Sequence, residues 1–217
     1  MSASMGEPVS PAGGRLNALL IQSGQALIDP KLASRFEAYL SLILRWNARV
    51  NLTAIRDEEG ILSRHFVESI ICARALPSGI ATLLDFGSGA GFPGIPIALC
   101  RPEIAVTLAE SQGKKAAFLQ EAIRTLGISA KVHAQQAELL SATFDCVTLR
   151  AVDRMTQAVK AASRLIAPGG WLALMTTRVE IARLEEVAGR SFSWSKIIPL
   201  PGENRLLALG ERQKLSA

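Results

Sequence analysis

The run Leu83-Leu-Asp-Phe-Gly-Ser-Gly-Ala-Gly91 limits what this chain can fold into more than any other feature. An apolar strand feeds directly into a glycine-rich turn, and apolar residues at helical spacing resume after Pro93-Gly94. Glycine in such a turn lets the backbone take positive φ and lets a ligand approach without meeting a Cβ. The helix that follows points unpaired N–H groups at the same place. A strand, a glycine turn and a helix in this order belong to a parallel α/β sheet, whose crevice lies beyond the carboxyl ends of the strands. The spacing is GxGxG followed by Phe92-Pro93-Gly94, and no Gly-Lys-Ser/Thr follows, so a phosphate-hydrolysing loop is excluded.

The rest of the chain agrees with such a sheet. Residues 15–76 read as helical, with Leu16, Leu19, Leu20 and then Leu32, Phe36, Tyr39, Leu40, Ile43 and Leu44 at helical spacing. Asp29-Pro30 supplies an N-cap and a first-turn proline. Asn51-Leu-Thr interrupts the pattern, and a further helix is expected over Glu58–Leu76. From residue 81 short apolar runs alternate with helices. Strands are expected at Thr82–Phe86, Ala105–Ala109, Lys131–His133, Phe144–Leu149 and Trp171–Thr176. Helices are expected at Ile95–Cys100, Lys114–Leu126, Met155–Ile166 and Glu180–Ala188. Phe192–Leu200 and Arg205–Leu209 flank the turn Pro201-Gly-Glu-Asn204, which leaves no room for a crossover, so this last pair is antiparallel. The fold class is α/β: a mostly parallel, Rossmann-like sheet closed by an antiparallel hairpin, with an N-terminal helical extension. The expected division is a disordered leader over 1–14, the helical extension over 15–80 and a cofactor-binding domain over 81–217.

The 217 residues suit one such domain with an appendage, and a hydrophobic content of 49% can build its core. The net charge of +5 permits a polyanionic partner but equally describes a solvated basic surface. Cys72, Cys100 and Cys146 lie far apart in apolar stretches, so buried thiols are expected, with neither a disulfide framework nor a zinc site. This usage fits a reducing cytoplasm. Neither a signal peptide nor a membrane span is legible, and nothing demands more than a monomer.

Two acids sharpen the meaning of the loop. Asp85 ends the first strand, where a carboxylate can orient the glycines or reach a cationic ligand group. Glu110 ends the second strand, the place for an acid that holds ribose hydroxyls. S-adenosylmethionine fits both ends, with an adenosine for the acid and an amino acid for the loop, and the closing hairpin resembles that of Rossmann-like methyltransferases. A nicotinamide-dependent oxidoreductase would use the same loop and acid, but no hydride-transfer constellation accompanies them. A catalytically silent RNA-binding or assembly factor that kept the fold is the third reading.

Several blocks carry a closer resemblance: Arg45-Trp-Asn-Ala-Arg-Val-Asn-Leu-Thr-Ala54, His65-Phe-Val-Glu-Ser69, Leu84 through Pro96, Glu110-Ser-Gln-Gly-Lys-Lys115 and Arg150-Ala-Val152. From about residue 30 onward the chain resembles the small-subunit ribosomal RNA guanine-N7 methyltransferases, the glucose-inhibited division protein B family. The resemblance implies methyl transfer from S-adenosylmethionine to N7 of a guanosine in 16S ribosomal RNA, at guanosine 527, on naked RNA or on a small-subunit assembly particle. It implies cofactor contacts at Gly87, Phe92, Glu110, Ala137, Glu138 and Arg150, to which the loop itself adds Asp85 and Gly89. The chain departs from the family pattern at Leu149, where a serine is usual, and after Arg205, where a histidine is missing.

Guanine N7 carries an in-plane lone pair and no proton, so its methylation needs no general base. In agreement, the chain has Thr148-Leu-Arg-Ala-Val152 after the fourth strand, where amino-methylating enzymes place an Asp/Asn-Pro-Pro-aromatic motif. Orientation and charge placement are then the catalytic work. Arg150 is the candidate catalytic residue, contacting O6 alone or the cofactor side; the alternative is a surface arginine paired with Asp153 or Asp145. Trp46, Asn51 and His65, among Arg45, Arg49, Arg56 and Arg64, are candidate RNA contacts. They could equally be a core anchor, a turn residue and a structural histidine.

Overall fold

A computed structural model describes residues 11–214. Two long helices come first, α1 over Pro11–Gln22 and α2 over Pro30–Asn47. Asp29 caps α2 by accepting from the Leu32 N–H at 2.8 Å, as its Asp-Pro signature requires. Residues 11–14, expected in the leader, instead form the first turn of α1, because Ala12 and Gly13 are buried there. The remainder of the expected leader lies outside the described residues.

The helix expected over Glu58–Leu76 is one rod with an irregular middle. A single turn, α3, covers Glu58–Gly60, a π-helical stretch covers Ile61–Val67, and α4 covers Glu68–Ala75. Asp57 accepts from the Gly60 N–H at 2.7 Å and starts the rod.

The sheet follows with β1 (Thr82–Phe86), α5 (Gly94–Cys100), β2 (Ala105–Ala109), α6 (Gly113–Leu126), β3 (Ala130–His133), β4 (Phe144–Arg150), α7 (Met155–Ala162), β5 (Ile166–Thr177), α8 (Ile181–Ala188), β6 (Phe192–Pro199) and β7 (Arg205–Arg212). The seven strands lie in the order β3-β2-β1-β4-β5-β7-β6. The first five are parallel, and β7 runs antiparallel between β5 and β6. Placing β7 inside the hairpin brings Arg205 opposite Thr177, at the carboxyl edge of the parallel strands. The helix after Met155 stops at Ala162 rather than Ile166. Ala167-Pro-Gly-Gly170 cannot continue a helix, and Ile166 already pairs with Phe144 in β5.

One apolar face of the sheet packs against the N-terminal helices. Leu16, Phe36, Tyr39, Phe66 and Ile70 form a continuous cluster with Leu83, Ile95, Val106 and Leu207. The other face, through Leu84, Val147 and Leu174, packs on α7 and α8. Cys72 and Cys146 are buried free thiols, whereas Cys100 is partly exposed. No helix among the described residues is long and apolar enough to cross a membrane.

Candidate functional site

The carboxyl ends of β1, β2, β4 and β5 open into a cleft of about 1030 Å³. Its floor is the glycine turn. Gly87, Gly89 and Gly91 all take positive φ, at +72°, +57° and +91°. Gly91 is the most constrained, since a Cβ there would lie 2.7 Å from the Tyr39 hydroxyl and 2.5 Å from Ile95. Tyr39 in turn donates to the Ala90 carbonyl at 2.5 Å, so a buried side chain of α2 fixes the turn from below.

Asp85 does not reach the cleft. It is buried, accepts from Thr148 Oγ at 2.8 Å and from the Gly94 N–H at 3.2 Å, and so ties the loop to β4 and to the start of α5. Burial pushes its carboxyl up to about 6, against the pull of the Thr148, Ser88 and Gly94 hydrogen bonds. Of the two expectations for this acid, orienting the loop is the one the geometry realises. Glu110 does line the cleft. Its oxygens accept from the Gly89 N–H at 2.9 Å and the Gln112 N–H at 2.8 Å. An ionised carboxylate has about four lone-pair sites, so two stay available to a ribose diol.

Facing the turn is a network that the sequence did not announce. Arg150, at the end of β4, donates from Nη1 to His65 Nδ1 at 2.8 Å, and from Nη2 to the Arg64 carbonyl at 2.7 Å and to Glu68 at 3.2 Å. A guanidinium has no acceptor, so His65 Nδ1 must offer its lone pair. The ring proton therefore sits on Nε2 and is donated to Thr53 Oγ at 2.8 Å. His65 is neutral: burial first, then Arg150 and Arg64, pull its pKa down to about 3. The ring stacks on Phe92, with centroids 4.5 Å apart, and Arg150 lies over the same phenyl at 5.8 Å.

Behind Arg150 is Glu68, with no exposed side-chain surface. It meets Arg64 at 3.6 Å, Arg150 at 3.2 Å and Arg205 at 2.5 Å. Burial pushes its carboxyl up to about 7, although Arg150 and Arg64 pull the other way. The expected alternative for Arg150, a surface pairing with Asp153 or Asp145, is not what forms. Asp145 stands at the opposite end of β4 and accepts from the Ala81 and Thr82 N–H groups.

The other expected contacts divide. Gly87, Gly89, Phe92, Glu110, Arg150 and His65 line the cleft. Trp46 does not. It packs on Phe118 and donates to Glu121 at 3.0 Å, bracing α2 against α6. Asn51 is exposed beside the lining residues Leu52–Ile55. The residue that organises that loop is Asn47: its Oδ1 accepts from the Leu52 and Thr53 N–H groups, and its Nδ2 donates to the Thr53 and Ile55 carbonyls. Ala137 and Glu138 sit on a short 3₁₀ turn after β3, outside the lining, with Ala137 buried and Glu138 exposed. Glu68, Tyr39 and Thr53 were not expected in the site, and Asn47, expected beside Trp46 in the RNA-contacting block, is instead the organiser of this loop. The one legible hint was Glu68, a carboxylate between Phe66-Val67 and Ile70-Ile71-Cys72, where a charge has to be buried and paired.

The geometry fits S-adenosylmethionine. The backbone of Gly87–Ala90 lines the cleft, a Cβ at Gly89 would meet no atom closer than 4.0 Å, and Glu110 stands at the rim with Phe92 as an apolar wall. Comparison with known proteins is decisive: residues 32–197 match the model of the family described as GidB, rRNA small subunit methyltransferase G. The chain belongs to the rRNA small subunit methyltransferase G family. It is 37% identical over 192 residues to the ribosomal RNA small subunit methyltransferase G of Xanthomonas euvesicatoria, an alignment covering 84% of this chain and 88% of that one. The enzyme of the same name from Halorhodospira halophila is 38% identical over 187 residues, covering 83% and 88%. A solved methyltransferase from Pyrococcus furiosus superposes with a TM-score of 0.61 at 15% identity, over 83% of this chain and 99% of that one, and shares the fold. As a member of the methyltransferase G family, the chain is an S-adenosylmethionine-dependent methyltransferase, which sets aside the nicotinamide reading.

Proposed function

We propose that the chain methylates N7 of a guanosine in 16S ribosomal RNA, guanosine 527 being the position the family resemblance implies. One observation carries the choice of atom. The carboxyl end of β4 presents the guanidinium of Arg150, braced on both sides, where a proton acceptor would have to stand if an exocyclic amine were the target. A guanidinium accepts no proton, and N7 has none to lose.

S-adenosylmethionine supplies an electrophilic methyl on a sulfonium. The chain's residues bind and orient. The φ-positive backbone of Gly87–Gly89 would receive the cofactor's amino acid end, Glu110 would accept from its ribose, and Phe92 would offer an apolar surface. Asp85 acts on that site at one remove, by holding the loop. Ala137 and Glu138 complete the proposed cofactor contacts from the turn after β3. Arg150 borders the reacting atoms, and its Nε–H is buried without a hydrogen-bond partner among the described residues. A contact from this guanidinium to guanine O6 alone would leave the N7 lone pair clear. His65 lines the base-binding part of the cleft through Phe92, and Asn51 reaches the RNA from the loop beside it. Trp46, fixed between α2 and α6, supports the RNA face from within. The protein works as a monomer in the cytoplasm, where small subunits are assembled.

Methyl transfer from labelled S-adenosylmethionine to 16S RNA in naked, partly assembled and complete 30S forms tests this reading. Chain scission specific to N7-methylguanosine then locates the product. A single modified guanosine is expected, and Arg150→Ala should lower kcat by about 100-fold or more with the fold retained. Absence of N7 product in all three forms overturns the reading, as does Arg150→Ala activity near that of the parent.

A further inference from the structure

One wall of the cleft holds more positive charge than the fold compensates. Arg64 from the π-helical stretch, Arg150 from β4 and Arg205 from β7 converge on the single carboxylate of Glu68. Arginine does not deprotonate in proteins, and His65, the other partner of Arg150, is neutral by its tautomer. Among the described residues, Glu68 is thus the one carboxylate that forms ion pairs with these three guanidinium groups. Glu68 is wholly buried, whereas the Arg64 and Arg205 side chains keep 47% and 19% of their surface exposed and line the cleft. Like charges gathered this closely repel unless an anion joins them. The cluster's exposed side is where an anion can enter.

The sheet order says which anion. Arg205 pairs with Thr177 on β5, and β7 stands three strands from β1, roughly 14 Å at the usual strand spacing. The glycine turn and Glu110 lie on the β1–β2 side. Arg205 therefore stands at the end of the cleft away from the cofactor loop, whereas Arg150 faces that loop. Guanidinium forks match phosphate oxygens two at a time.

We propose that Arg64 and Arg205, held in place by Glu68, form a subsite for a backbone phosphate of the RNA next to the methylated guanosine. This rests on the function proposed above. Glu68 is a positioning residue here: it draws both arginines to one point, so their ordering cost is met before RNA arrives.

The test is binding of a 16S RNA fragment to the full-length parent, Arg64→Gln, Arg205→Gln and Arg205→Lys between about 50 and 200 mM salt. Binding of S-adenosylhomocysteine is measured on the same samples by calorimetry. Each Gln variant should reduce the slope of log K against log salt by about one and weaken RNA binding roughly tenfold at low salt. Arg205→Lys should keep the slope and still lose affinity, because charge remains and the fork does not. S-adenosylhomocysteine affinity should not change. Unchanged slopes in the Gln variants overturn the subsite. Unchanged slopes with weakened S-adenosylhomocysteine binding also overturn it, and assign the arginines to the cofactor's carboxylate. Arg64 is half exposed, so its variant decides the matter if Arg205→Gln does not fold. A parent that methylates no form of this RNA defeats the functional reading instead, whereas an active parent with unchanged slopes defeats only the subsite.

Discussion

His65 shows how a single tautomer can be argued from its neighbours. Arg150 can only donate, so Nδ1 accepts and Nε2 carries the proton to Thr53. A histidine whose folded pKa is depressed to about 3 contributes stability that is full above its unfolded value near 6.5. That contribution is lost as pH falls from about 6.5 toward 3, where the unfolded chain binds the proton and the folded chain does not, at up to about 1.4 kcal/mol per pH unit. With only two histidines in the chain, ring proton NMR can follow each. The His65 signal should stay that of a neutral Nε2–H imidazole at pH 5. His65→Asn, which keeps an acceptor facing Arg150, should flatten the acid side of the stability curve; an unchanged curve would sink the assignment. Gly91 makes a second prediction at this scale. At φ +91°, with Tyr39 and Ile95 inside contact distance of any Cβ, Gly91→Ala should cost about 2 kcal/mol in denaturant unfolding and weaken S-adenosylhomocysteine binding. The glycines and Glu110 were legible because a tight turn and a ribose acid each demand one residue type at one place. The partners of Glu68 and Asn47 were not, although the need to bury and pair a charge at Glu68 was. These partners lie on elements far along the chain or in a loop whose path no local pattern specifies.

Among the elements, β1, β2, β3, β4 and β6 were readable to within a residue as short apolar runs, whereas β5 begins five residues before Trp171 and β7 ends three residues after Leu209. Three further features were not legible. The π-helical stretch Ile61–Val67 has the same apolar spacing as an α-helix over so short a length, yet it carries both Arg64 and His65 to the cleft. π-Turns concentrate at functional sites in this way. The position of β7 between β5 and β6 depends on pairing between distant strands, which no local spacing encodes. The loop Leu52–Ile55 is held by the Asn47 amide, which uses both its acceptor and its donor group on loop backbone. Asn47→Ala should leave the Thr53 N–H without its partner, at about 1–3 kcal/mol, while the Leu52 N–H keeps the Val50 carbonyl. Hydrogen exchange at Thr53 should accelerate while the β1 amides stay protected. The change should raise KM for RNA more than it weakens S-adenosylhomocysteine binding, because this loop lines the cleft and bonds His65 rather than the glycine turn. Equal effects on both ligands would mean that the loop serves the cofactor.

At the scale of the whole molecule, the proposed division into a helical extension over 15–80 and a cofactor-binding domain over 81–217 separates roles more than folding units. The apolar residues of α1, α2 and α4 belong to the same cluster as those of β1, β2 and β7, and Glu68 ties the helical part to both β4 and β7 through arginines. A chain built in this way should unfold in one step. Tryptophan fluorescence, reporting Trp46 between α2 and α6 and Trp171 and Trp194 in the sheet, should change together with far-ultraviolet circular dichroism at the same denaturant concentration. Glu68→Ala removes the shared counter-charge and leaves three guanidinium groups facing one another. Breaking a buried ion pair by removing one partner costs about 3–5 kcal/mol, which in a chain of this length lowers Tm by roughly 6–20 °C. Glu68→Gln keeps the shape and an acceptor for Arg205, so it should lose less. It should also abolish whatever part of the pH dependence comes from a carboxyl raised to about 7. That carboxyl binds a proton in the folded chain between about 4.5 and 7 while the unfolded chain does not, so its contribution falls as pH rises through that window. Two separate transitions, with Trp46 released before the sheet, would show that the helical part is docked on the sheet rather than folded with it.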